Sequence, residues 1–357
     1  MTPDVLVVGA GICGLAAAYE LTRRGAHVTV LERTGVGAEQ SAGLARIFRI
    51  AHADPRLCGL ALEAREGWHR WAQELGTARL VGDEGLVSAG AHALERQVPA
   101  LQAAGAPHER IGAREVAERL GPAAADHPWG DGLLDPLGGA IRVQRVLRAL
   151  AATVELRPAE VVAVQDGPDR AAVRLAGPGG DVLHADRVLV CAGVEAPVLA
   201  ATAGIALPMR FTHHVRLTYG WRGPARPSAC FTAGGAYGLP LGSTGRFALG
   251  LRDPGAPAEH RTADADAFAA AVRDQHAAWV PRHLPGLDPA PVGEIRCVGV
   301  QASFLDPFED GFAAARQGRV VAFGGSNLMK FAPVLGDRLA RTVLADDEVH
   351  PDLALAR

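Results

Sequence analysis

One stretch, Asp4 to Arg33 (DVLVVGAGICGLAAAYELTRRGAHVTVLER), limits the folds open to this chain more than any other. The apolar run Val5 to Val8 leads into Gly9, Gly11 and Gly14, after which Leu15, Ala18, Tyr19 and Leu21 keep an amphipathic helical spacing. After Gly25 a second β-branched run, Val28 to Leu31, ends on Glu32. That is about twenty residues beyond the glycines, where such units set an acid against a ribose hydroxyl. Strand, tight turn, helix, strand and acid together predict a dinucleotide site. Gly9 makes the turn, Gly11 lets backbone N–H groups approach a pyrophosphate, and Gly14 lets helix and strand close on each other. The helix N-terminus then faces the anion.

At 357 residues the chain exceeds one small core and implies two domains, or one large domain with insertions. Hydrophobic residues make up 48%, ample for a packed interior. A formal net charge of −3, with arginines scattered rather than clustered, argues against a nucleic-acid partner. No apolar stretch approaches the roughly 20 residues of a membrane span, and the first strand begins by residue 4 without a signal-peptide apolar core. The expectation is a cytoplasmic protein that meets no membrane. Five cysteines (Cys13, Cys58, Cys191, Cys230, Cys297) without a CxxC pair fit reduced, mostly buried thiols rather than a disulfide frame or a metal site.

The pattern predicts a helix over 55–75 with Leu60, Ala64, Trp68, Trp71 and Leu75 on one face, the tryptophans in the core. Short, Gly/Pro-broken segments from 80 to 139, with a helix at 113–120 and a small Ala123 to Ala125 tract, read as an insertion. The fold resumes with a helix at 143–152, strands near Val154 to Val164, a hairpin-like pair, and an apolar strand ending Cys191-Ala192-Gly193. From Met209 to Arg252 the alternation is strand-like, and a helix over 263–279 follows. Val320 to Phe323 predicts a buried strand running into a turn at Gly324-Gly325, and 335–344 a closing helix. The expected fold class is α/β: a Rossmann-like FAD-binding domain (1–78, 140–206, 293–357) with an α+β substrate domain built on an antiparallel sheet (79–139, 207–292).

The chain resembles the D-amino-acid-oxidase superfamily of flavoproteins, and within it the monomeric sarcosine oxidase and N-methyltryptophan oxidase group. The anchors are the GAGICG turn with Glu32, the Ser41 to Arg49 stretch, Cys191-Ala192-Gly193, Tyr237-Gly238-Leu239-Pro240, and Lys330 to Gly336. The resemblance implies a monomer carrying FAD, its adenine end on the N-terminal unit. It places Gly9, Gly11, Ile12, Cys13 and Gly14 with Glu32, Arg33 and Ser41 along the cofactor, and Ala192 and Gly193 beside them. Val161 matches the residue whose backbone meets the adenine, and Arg46 lies near the flavin. Gly324, Gly325, Ser326, Met329 and Lys330 belong to the segment beside the flavin ring. Arg49 and Lys330 match the positions that grip a substrate carboxylate, a planar fork and a point charge. Tyr237 matches an active-site tyrosine, although core packing is an alternative role.

Three departures qualify the resemblance. The cysteine that attaches FAD in relatives is replaced by Gln301, and Cys297 lies four residues earlier, about 13 Å along a strand; the expectation is non-covalent FAD. The family's lysine near the flavin, associated with oxygen reduction, is replaced by Ala248, with Arg246 and Arg252 displaced from it. The 324–330 loop is also about one residue short. The expected activity is oxidation of a secondary or cyclic amino acid by hydride transfer to flavin. Alternatives are an NAD(P)H-dependent monooxygenase, disfavoured because Gly336-Asp337 falls in the closing helix, and a flavoprotein whose FAD is structural. Of His213 and His214, on opposite faces of a strand, at most one can reach a pocket.

Overall fold

The strand Asp4–Val8 lies inside a six-stranded sheet because both its faces are apolar: Val5 and Val7 enter one core, Leu6 and Val8 the other. The computed structural model describes residues 4–91, 93–121, 129–223, 227–251, 265–305, 310–345 and 348–353. Arg252, the Ala123 to Ala125 tract and the first residues of the helix expected from Ala263 lie outside them. The sheet order is Gly311–Gln317, Val320–Ser326, Arg187–Val190, Asp4–Val8, His27–Glu32, Glu155–Pro158. All neighbours pair in parallel except the first two.

On one face, helices Ile12–Arg23 and Ala332–Leu344 pack so closely that a Cβ on Gly336 would lie 2.8 Å from the Ala16 carbonyl oxygen. The helix Pro55–Glu74 is capped by the Asp54 side chain, which accepts from the Arg56 amide, and buries Trp68 and Trp71 as expected. Leu60 and Leu75 of the expected stripe are only half-buried; the buried face is centred on Leu57, Ala61, Ala64, Trp68 and Trp71. Glu20, fully buried, accepts from Trp71 Nε1, Arg70, Arg23 and Arg24, tying the first two helices together. The other face is covered by helix Ala196–Thr202 and a separate antiparallel sheet of Val161–Gln165, Ala171–Leu175 and Val182–Ala185.

The second large sheet has eight strands. Its long members, Met209–Trp221 and Leu287–Ala302, are antiparallel, and Cys230–Ala233 runs parallel to Leu86–Ala89. Val215, Leu217 and Tyr219 face the helix Ala265–His283, so alternate residues face away from it. The boundary expected at 293 falls inside Leu287–Ala302, which pairs with Met209–Trp221 along its length, so that whole strand belongs to the eight-stranded sheet. Two further expectations change. Gly324 and Gly325 make no turn: they sit within Val320–Ser326 opposite Ala313 and Phe312, where a Cβ on Gly325 would meet the Gly311 oxygen at 2.4 Å. The turn falls instead at Asn327, in the left-handed region at φ 55°. The closing helix begins at Ala332, with Pro333 in its first turn. Among the described residues no helix is long and apolar enough to cross a membrane, and all five cysteines are free.

A Cβ at position 14 would lie 2.0 Å from the Gly9 carbonyl oxygen, a backbone atom that has nowhere to go. Gly14→Ala is therefore expected to destabilise the fold by about 3 kcal/mol and to lose bound flavin, read by thermal melts and absorbance; unchanged melting with full flavin content would refute this packing argument.

Candidate active site

Between the carboxyl ends of the parallel strands and the free face of the eight-stranded sheet lies a cavity of about 900 Å³. Every cofactor- or substrate-binding residue expected from the sequence lines it except Gly14, which lies beneath Gly9 and serves packing. Glu32, Arg33 and Val161 border one end, and Arg49, Tyr237 and Lys330 line it elsewhere.

The first end is built for an anion and a hydroxyl. Gly9 has φ 102°, and a Cβ there would meet the Cys191 oxygen at 2.6 Å. The helix that follows has Gly11 as an N-cap without a side-chain cap and no acid in its first turn. Nothing in the helix's own first turn offsets its positive end, to which the Glu32 carboxylate and the Ser41 hydroxyl are brought from neighbouring segments. Ser41 accepts from the Ile12 amide at 3.0 Å and so fixes the following loop against the turn. Glu32 accepts from the amides of Ala10 (2.8 Å), Thr34 (2.8 Å) and Gly35 (3.2 Å) and from the Thr34 hydroxyl (3.0 Å). Burial alone would raise its carboxyl, but those bonds, Thr34 foremost, outweigh burial and hold it below its ordinary value. Arg33 is drawn to Glu195 and Glu160 at the rim.

At Arg49 and Lys330 the structure adds a residue that the sequence did not flag. Asp310, its side chain 2% exposed, accepts on Oδ2 from Arg49 Nη2 (2.7 Å), Lys330 Nζ (2.7 Å) and His52 Nδ1 (3.1 Å), and on Oδ1 from Asn327 Nδ2 (2.6 Å). Burial works against its charge, yet Lys330, Arg49 and His52 hold it well below the usual carboxylate range. His52 is lowered to about 4, chiefly by burial, so it is neutral at pH 7 and donates its Nδ1–H. The cluster thus carries two formal positive charges and one negative. Arg49 and Lys330 are brought together as expected, but through an internal carboxylate. The fully buried Asp135 accepts from the Ile50 and Ala51 amides at 2.6 and 3.1 Å and so fixes the backbone behind Arg49. Trp68 Nε1 donates to the Lys330 carbonyl at 3.0 Å.

The sheet wall is contributed mainly by alternate residues of its two long strands. Arg210, Thr212, His214, Arg216 and Thr218 line the cavity from Met209–Trp221, and Cys297, Gly299 and Gln301 from Leu287–Ala302. His213 points the other way and is buried. Tyr237 lies across Gly250, where a Cβ would come within 2.2 Å of its ring. Ala248 lines the cavity, and Arg246, two residues away in the same strand phase, lines it too. Gln301 accepts from Arg210 Nε at 3.0 Å, while Cys297 Sγ lies 3.8 Å from Arg216. Arg46 donates to the carbonyls of Ala45, Gln40 and Ala42; burial first and Arg216 second lower it to about 9, which leaves it charged at neutral pH.

Residues 4–342 match the model of the DAO family of FAD-dependent oxidoreductases. The chain belongs to that family. It is an FAD-dependent enzyme, and the residues present fit the cofactor: a glycine cradle at a helix N-terminus, and a carboxylate ionised at the rim. Similar structures include NikD, described as an amino acid oxidase of nikkomycin biosynthesis (24% identity, 98% of this chain and 95% of that one, TM-score 0.83). Glycine oxidase from Geobacillus kaustophilus is another (20% identity, all of both chains, TM-score 0.79). At these identities the likeness concerns the fold. A curated relative, the bifunctional tRNA 5-methylaminomethyl-2-thiouridine biosynthesis protein MnmC of Chromohalobacter salexigens, is 31% identical over 222 residues. The match spans 58% of this chain and only 30% of that protein.

Because its folded carboxyl holds a proton less tightly than the unfolded one, Glu32 contributes stability that is complete above the ordinary Glu range and is lost as pH falls through the lowered folded value. Urea titrations of wild type and Glu32→Gln are expected to show a gap at pH 7 that closes below about pH 4; a gap independent of pH would contradict this account.

Proposed function

We propose that the protein oxidises the C–N bond of a secondary or cyclic amino acid, or a similar amine carrying a carboxylate, to an imine. What carries the reading is the pair Arg49 and Lys330, two cations converging on one buried acid in the cofactor's cavity with one net positive charge to spare. Asp310 takes one of the five N–H groups of the Arg49 guanidinium, which keeps donors for a substrate carboxylate beside the Lys330 ammonium. Arg49 and Lys330 hold that carboxylate, and the packing of Tyr237 against Gly250 limits how the rest of the substrate lies. This is catalysis by positioning. Bound FAD supplies the two-electron acceptor for the hydride leaving the carbon beside nitrogen. Its reoxidation would fall to oxygen or another acceptor; position 248, an alanine, supplies no cation for that step, and Arg246 lines the cavity two residues away. In this reading the six-stranded sheet carries the cofactor and the eight-stranded sheet faces the substrate.

The FAD is non-covalent in this reading, since Gln301 offers no thiol and is engaged by Arg210. Acid precipitation is expected to leave all the flavin in the supernatant; yellow colour in the pellet would instead assign a link, with Cys297 the first thiol to test. The monooxygenase alternative gains nothing: Gly336 and Asp337 lie in the closing helix, with Asp337 paired to Arg24, Arg338 and Arg341.

Anaerobic mixing of the yellow protein with N-methyl, cyclic and primary amino acids is expected to bleach the flavin for at least one class. Arg49→Ala or Lys330→Ala should lower that kcat/KM by about 100-fold. Bleaching by NADPH and by no amine would overturn the reading.

A further inference from the structure

The carboxylate-binding reading leaves one group unexplained. A buried acid that occupies both substrate-binding cations competes with any substrate carboxylate, and on charge alone the site would bind anions better without it. Its placement accounts for its presence. Oδ2 gathers Arg49, which enters from the segment after the strand Ala45–Phe48, and Lys330, which enters from the turn Leu328–Phe331. Those residues are 261 and 20 positions from Asp310 in the chain. Oδ1 takes the amide of Asn327, the residue whose left-handed backbone begins that turn. His52, neutral and stacked on Phe331 at 5.5 Å, donates the fourth bond. The acid is therefore a point at which the two cations, the turn and the Arg49 segment are all fastened.

We propose that Asp310 is a positioning residue for substrate recognition: it fixes the spacing of Arg49 and Lys330 so that together they accept a single carboxylate. Without it the two cations, both now within 2.7 Å of one oxygen, repel each other and part. The proposal rests on the carboxylate-binding reading and adds an effect opposite in sign to simple charge. Replacing Asp310 by asparagine raises the net charge of the cluster by one, yet weakens its grip on an anion.

The test uses FAD-loaded protein and two probes of similar shape, benzoate and benzamide, titrated against the visible flavin band. Wild type is expected to prefer benzoate, and Arg49→Ala to abolish the preference. Asp310→Asn is expected to weaken benzoate by about 100-fold, the size of a 1 Å misplacement, with benzamide affinity and flavin content unchanged. A residue that merely supports the fold would weaken both probes alike. Asn327→Gly keeps the left-handed backbone and removes only the amide that fixes Oδ1. It is expected to weaken benzoate selectively by about tenfold, a partial displacement by the same measure, and it serves if Asp310→Asn does not fold. Benzoate binding unchanged or tighter in these variants, with the preference still lost in Arg49→Ala, would overturn the role of Asp310 alone. No preference in wild type would overturn the carboxylate site itself, and this role with it.

Discussion

The contact between Gly14 and the carbonyl of Gly9 sets the rest of the molecule. With no side chain at either position, the first helix starts close against the first strand, and a Cβ would close that space entirely. Its N-terminus is thereby aimed into the cavity, Glu32 on the neighbouring strand comes within bonding distance of the Ala10 amide, and the helix is free to receive Ala332–Leu344 along its other side. Shape and electrostatics of the cofactor end thus follow from one close backbone approach.

A second principle organises the interior: buried acids act as fasteners between segments distant in sequence. Glu20 joins the first two helices, Asp135 seizes the backbone behind Arg49, and Asp310 joins Arg49, His52, Asn327 and Lys330. A buried carboxylate is tolerated only when its lone pairs are answered by donors, and loss of a partner leaves an uncompensated charge. Each such acid therefore specifies its neighbours more narrowly than an apolar contact does. The two that border the active site fix the backbone and the head groups of the same arginine.

Much of this was legible in the chain. The glycine spacing, the acid after the second strand and the alternation in 209–251 depend on local periodicity, and the structure follows them closely. Trp68 and Trp71 also went where their spacing put them. The region around Lys330 was less legible for physical reasons. Gly324 and Gly325 read as turn residues because glycine marks turns, whereas here their lack of a side chain admits a neighbouring strand. A boundary at 293 cuts through a 16-residue strand, which carries no internal mark of which sheet it joins. Asp310 left no local signal: an Asp-Gly pair before an apolar run looks like a loop, and the partners that define it sit far away in sequence.

The long antiparallel pair has a consequence for how such an enzyme diversifies. Along Met209–Trp221 the odd positions from 213 to 219 pack inward, while the even positions from 210 to 218 line the cavity; Leu287–Ala302 adds 297, 299 and 301 together with 292–295 and 300. Core and cavity are therefore written on the same strands in interleaved letters. Exchanges at one set of positions recast the chemistry that a ligand meets, while the other set preserves the scaffold. Gln301 and Ala248, which stand where the resemblance expects a thiol and a lysine, both lie on the cavity wall and would be changes of this kind.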